Sequence, residues 1–218
     1  MAKLVWDQTG YREFESGVRN VVLYPMGASG YEQGVAWNGV TGISENPGGA
    51  DVTDLFADDI KYASLRAAET FGCTIEAYTY PDEWNECDGS AEAANGVFIG
   101  QQTRKAFGLC YRTAIGDDAH PGMDKGYKLH LIYNSTASPS SRSYATINDN
   151  PDAITFSWEA TSTPVATTGR KAVSTIVIDS TKCDATKLTA LEDKLYGTAN
   201  AEAQLPSPDQ VIADMTTP

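Results

Sequence analysis

The chain has 218 residues, 41% of them hydrophobic, with 11 Tyr and 4 Trp; this is globular rather than disordered composition, enough for one large or two small domains. Its net charge of −13 argues against a protein that grips nucleic acid by its phosphates, which takes Lys and Arg. The same acidity serves either solubility alone or a wall that repels phosphates and lets nucleic acid pass.

Residues 1–17, MAKLVWDQTGYREFESG, mix charges, Gly and aromatics without a period. They read as an N-terminal arm and hold no apolar segment fit for a signal peptide. No apolar run approaches the roughly 20 residues of a membrane span. The expectation is a soluble chain without membrane anchor, folded in the cytoplasm.

A domain over 18–200 follows. Arg19–Tyr24 is a short β-like run that stops at Pro25. Val35–Ile43 has β-formers on both sides of Asn38-Gly39, a hairpin signal, with a bulge at Gly39 as the competing reading. Residues 44–59 open as SENPGGADVTDL and read as a long loop. In Thr70–Tyr80, Cys73, Ile75 and Ala77 alternate with Thr74, Glu76 and Tyr78. Pro81–Cys87 suits a turn or short helix with Pro81 first. Lys105–Thr113 places Phe107, Leu109 and Tyr111 on one face. Asp117–Lys125 is a second loop.

Two clear strands come next. Tyr127, Leu129, Leu131 and Tyr133 share one face, as do Ile154, Phe156, Trp158 and Ala160, the period-two pattern of half-buried strands. Ser174–Asp179 is a last strand. Asp184–Tyr196 is the best helix, with Leu188, Leu191 and Leu195 on one face, Asp184 placed to cap its start and Gly197 its end. The tail, 201–218, holds three Pro and reads as extended. Seven to ten strands and one helix predict a mainly β (α+β) single domain, a β-sandwich or barrel with a helix on its flank.

Chemistry is sparse. Cys73, Cys87, Cys110 and Cys183 form no C-x-x-C pair, so neither a zinc ribbon nor disulfides are expected. Gly27-Ala28-Ser29-Gly30 lacks the spacing of a nucleophile elbow. His120 and His130 have no metal-ligand spacing partner. Glu69, Glu76, Glu159 and the Asp58/Asp59 pair offer carboxylates for a glycosidase, but sequence fixes no distance between them. Asn148–Asp152 clusters oxygens as a calcium loop does, yet Asx-turn chemistry explains it better. Tyr and Trp on strands suit either a sugar platform or packing and subunit contacts. No catalytic residue, metal or cofactor is expected.

One ordered set of motifs adds to this reading. Tyr24-Pro25, Gly34–Gly39, Asp58–Tyr62 and Phe107–Thr113 come first; KLHLIY at 128–133, Thr146–Asp149 and FSWEATSTPV at 156–165 follow, then Leu191-Glu192 and Leu195–Thr198. Their order over roughly 18–211 resembles the major tail (tail tube) proteins of long, non-contractile-tailed bacteriophages. The resemblance implies a structural, non-enzymatic protein of the virion. Hexameric rings would stack into a hollow tube, with the inner sheets joined in one barrel and DNA passing the lumen without specific binding. It further implies tape-measure, tail initiator and terminator proteins as partners. Asp54, Leu55, Phe56, Asp58 and Asp59 of the 44–59 segment, with Trp6 and Tyr11 of the arm, become candidate ring or stacking contacts. A tube of a phage-derived particle or secretion system, and a carbohydrate-binding or carbohydrate-cleaving β-sandwich, are the alternatives.

Overall fold

Side-chain alternation along the strands divides the molecule into layers. The computed structural model describes residues 3–120, 122–147 and 153–216. Its strands are β1 Phe14–Gly27, β2 Gly30–Tyr31, β3 Val35–Ala36, β4 Val40–Gly49, β5 Val52–Ala57, β6 Ile60–Arg66, β7 Glu69–Ala77, β8 Ala91–Ala94, β9 Val97–Ile99, β10 Phe107–Gly116, β11 Gly126–Ala137, β12 Phe156–Ser162 and β13 Thr175–Asp179. The helices are α1 Trp84–Cys87, α2 Ala185–Tyr196 and α3 Pro208–Thr216. The chain is mainly β, consistent with a β-sandwich carrying a flanking helix.

The main sheet is antiparallel and ordered β2-β1-β10-β11-β12-β7-β4, with β3 added to β1 and β13 to β11. Strand β11 divides its outer edge: residues 128–132 pair with β13 and residues 135–137 with β12. The sheet therefore splits along β11, and β12-β7-β4 forms the second layer. Between the layers lies a core of Leu23, Ile75, Phe107, Leu109, Tyr111 and Trp158 with their neighbours. Trp84 of α1 is fully buried there, 4.6 Å from Trp37, 4.9 Å from Phe107 and 5.4 Å from Trp158 between ring centroids. Losing so large a ring costs about 3–5 kcal/mol.

A second core lies on the opposite face of the first layer. Val22, Tyr24, Cys110, Leu129, Leu131 and Tyr133 meet Leu188, Leu191 and Leu195 of α2 and Val211 of α3. Thus Val21 and Leu23 enter one core while Val22 and Tyr24 enter the other, as two-residue periodicity requires. Arg112 locks α2 to β10. Its guanidinium lies 4.4 Å from the Tyr127 ring centre and 4.9 Å from that of Tyr196, and pairs with Glu192 at 2.5 Å.

Several sequence expectations change. Pro25 does not end the first strand. Its carbonyl accepts from Glu32 N–H at 2.8 Å, so its missing N–H also faces that side, between the short β2 and β3 pairings, where no ladder bond is lost. The arm shortens accordingly, because β1 begins at Phe14. Asn38-Gly39 closes no hairpin: β3 pairs with β1, whereas β4 pairs with β7. Gly39, at φ 79°, instead carries the chain between layers, and a Cβ there would stand 2.9 Å from Thr79 Cγ2.

The 44–59 segment is strand rather than loop. Pro47 is tolerated because β4 is an edge strand paired only with β7. The 201–218 tail contains α3. Ser207 Oγ accepts from Gln210 N–H at 3.4 Å, while Gln210 Oε1 accepts from Ser207 N–H at 2.9 Å, a capping box with Pro208 in the first turn. Helix α2 matches its expected bounds: Asp184 accepts from Thr186 and Lys187 N–H, and Gly197 sits at φ 75°.

Candidate assembly surface

Strands β4 and β7 continue outward as a separate two-stranded hairpin, β5–β6. The joint is at Gly49 and Ala50, with φ of 75° and 58°. Ala67 N–H donates to Asp51 O at 2.8 Å and carries the pairing across it. Six residues of β5 at about 3.3 Å each extend the ladder by roughly 20 Å. The turn is Asp58-Asp59, both at positive φ, 51° and 62°, the geometry whose twist matches paired strands. Asp tolerates it better than most residues.

Every residue of β5 is exposed, and in β6 Ala63 alone is half-buried. Leu55 is 41% exposed, Phe56 70%, Ile60 65% and Tyr62 75%. Asp54 staples the strands, accepting from Ser64 Oγ at 2.6 Å and pairing with Lys61 Nζ at 2.8 Å. These bonds, Lys61 first, hold its carboxyl below the usual range. An isolated two-stranded hairpin is marginal in water, and this one presents apolar groups that the described residues leave uncovered.

The structure brings Asp54, Leu55, Phe56, Asp58 and Asp59 together on this hairpin. Trp6 and Tyr11, also exposed, lie on the N-terminal segment, which is tied elsewhere. Gly10 N–H donates to Asp118 at 2.7 Å; Lys125 Nζ bonds Glu13 at 2.7 Å, Asp117 at 2.9 Å and Gly10 O at 3.2 Å. Asp117, its side chain almost wholly buried, also accepts from the N–H groups of Ala119 and His120 and bonds the His120 ring at 2.8 Å. Lys125 foremost, with His120 and those N–H groups, drives the Asp117 carboxyl far below its ordinary value.

Sequence reasoning takes Asn95-Gly96 as a turn but assigns no strands beside it, and so misses the β8–β9 hairpin, whose Val97, Phe98 and Ile99 are also exposed. Its signal was Asn95-Gly96 followed by three apolar residues.

One arrangement resembles nucleophilic machinery in outline. His130 Nε2 lies 3.0 Å from Thr113 Oγ1, and its Nδ1 lies 3.4 Å from Glu45 Oε1. However, Thr113 spends its hydroxyl proton on Glu15 at 2.9 Å, so His130 must donate to Thr113. That is the reverse of the proton flow a hydroxyl nucleophile needs. Tyr111 stacks on His130 at 4.6 Å and donates to Glu45 at 2.6 Å. His130 beside it, foremost, and the Tyr111 hydroxyl bond keep the Glu45 carboxyl low. The cluster ties β4 to β10 and β11.

Among the described residues, no group of three or more His, Cys, Asp or Glu is arranged to hold a metal. Asn148–Asp152 lies outside the described residues. Trp37, Trp84 and Trp158 are core residues rather than an exposed sugar platform. No described helix is long and apolar enough to cross a membrane. No protein-family model and no curated protein matches the chain.

Proposed function

We propose that this chain is a structural subunit that assembles with copies of itself, as stacked hexameric rings forming the tail tube of a long-tailed bacteriophage. The observation that carries the proposal is the β5–β6 hairpin: a projecting ladder with Leu55, Phe56, Ile60 and Tyr62 open to solvent. Apolar groups clustered on a protrusion mark an interaction surface. A protrusion that meets a different patch on the next copy makes a heterologous contact, which closes into rings or repeats along an axis.

Two further features agree with this reading. The ordered motifs over 18–211 resemble tail tube proteins, and a net charge of −13 suits a lumen that must not retain DNA. The inner sheets of six subunits would join edge to edge, removing their unpaired strands. Tape-measure, initiator and terminator proteins would be its partners in the virion.

Native mass spectrometry across a concentration series tests the proposal. It predicts a discrete species of about 140 kDa, six times the 23.4 kDa chain. A monomer at all concentrations and salt conditions, together with binding in a glycan screen, would favour the carbohydrate-binding alternative.

A further inference from the structure

Strand β13 pairs with β11 along one edge, and among the described residues no strand covers the other. Beside that edge, against α3, runs an open groove of about 680 Å³. This falls in the size range of sites that enclose several apolar groups. Ile176, Val177, Val211, Ile212 and Met215 line it, and Val177 is exposed.

One stretch of the rim is cationic. Arg170 lines the groove with Lys171 next to it, both exposed and without a side-chain partner among the described residues. The two carboxylates at the groove are already engaged. Asp179 holds Thr181 at 2.6 Å and Lys182 at 3.0 Å, and Asp184 caps α2. In a chain of net charge −13, a free cationic rim beside an apolar floor fits an acidic, apolar ligand.

The β5–β6 hairpin has that chemistry: an apolar shaft ending in Asp58 and Asp59, neither in an ion pair among the described residues. It grows from the β4–β7 layer, whereas the groove lies beside β13 on the helical side of the molecule. We propose that the groove between β13 and α3 receives the β5–β6 hairpin of a second copy of this chain, with Asp58 and Asp59 against Arg170 and Lys171. This rests on the assembly reading above and adds its receiving surface. The contact leaves a free hairpin on one copy and a free groove on the other, so it propagates.

Cys183 provides the test, because it lines the groove and is partly exposed, whereas Cys73, Cys87 and Cys110 are buried. Two variants, Ala57→Cys and separately Ile60→Cys, keep Leu55 and Phe56 in place. Under a mild added oxidant each is expected to give dimers and longer ladders, with peptide mapping locating the bond to Cys183 of another copy. Replacing Cys183→Ser abolishes the link. Adding D58K and D59K slows linking at least tenfold, and pairing that chain with one carrying R170E and K171E restores it. Phe98→Cys on the other exposed hairpin measures random collision. Links no faster than from that control overturn the inference.

Electron microscopy of the same samples separates the two claims. Tubes without the link leave assembly standing and remove the groove. Links with only irregular chains keep the groove and remove the tube. Neither link nor tube overturns both.

Discussion

Replacing Leu55→Ser and Phe56→Ser together asks whether the projecting hairpin works between molecules or within one. Full burial of a Leu or Phe side chain contributes about 1.5–3 kcal/mol. In the single chain 41% of Leu55 and 70% of Phe56 is still exposed, so a partner can withdraw that remainder, about 2–3 kcal/mol for the pair. Each contact should weaken roughly 30- to 150-fold, and contacts that repeat around a ring compound the loss. Folding should scarcely change, because substitutions at exposed sites usually stay within about 0.5 kcal/mol, roughly 2 °C in a chain of this size. Sedimentation velocity reports the assembly and thermal unfolding the monomer. Assemblies with wild-type size and concentration dependence would refute the reasoning. So would a melting point lowered by 8 °C or more, which would place both side chains inside the subunit's own stability.

Three other expectations are more local. Asp117→Asn should free residues 10–13 and raise proteolysis within the N-terminal segment. Because the Asp117 carboxyl is depressed in the fold, its stabilisation is present above the ordinary carboxylate value of about 4 and lost as pH falls below it. Wild type should therefore lose more denaturant resistance between pH 5 and pH 3 than the variant, and equal losses would remove this role. Asp184→Ala should cost about 1 kcal/mol through the lost α2 cap, seen as a fall of about 2–4 °C in melting temperature. Burial pushes the thiols of Cys73, Cys87 and Cys110 up to about 12, so iodoacetamide at pH 9 should label Cys183 first; rapid labelling of any other would contradict the packing.

Period-two alternation made most of the sandwich legible. Cys73, Ile75 and Ala77, like Phe107, Leu109 and Tyr111, enter the core expected of them, and α2 was marked by both caps and its leucines. What sequence obscured has physical causes. Pro25 and Pro47 look like strand breakers, yet each sits where its missing N–H faces no ladder. Asn38-Gly39 has the composition of a hairpin turn, but which strand receives each arm is a tertiary matter. Residues 52–57 carry too little alternation to read as strand because neither face is buried, and exposure on both faces is what makes the hairpin a candidate contact. The capping box Ser207–Gln210 was visible in the tail, but its prolines drew the reading toward an extended chain. Trp6 and Tyr11 are candidate contacts through the family resemblance alone, and the structure ties their segment to the Asp117–Lys125 loop through Gly10 and Glu13.

The central claim, that this chain builds a hollow tube from copies of itself, is tested most directly by negative-stain electron microscopy of the concentrated protein at low and high salt. The account predicts rings with an open centre that stack into tubes of uniform diameter. Particles of single-chain size under every condition, or solid filaments with no lumen, would contradict it.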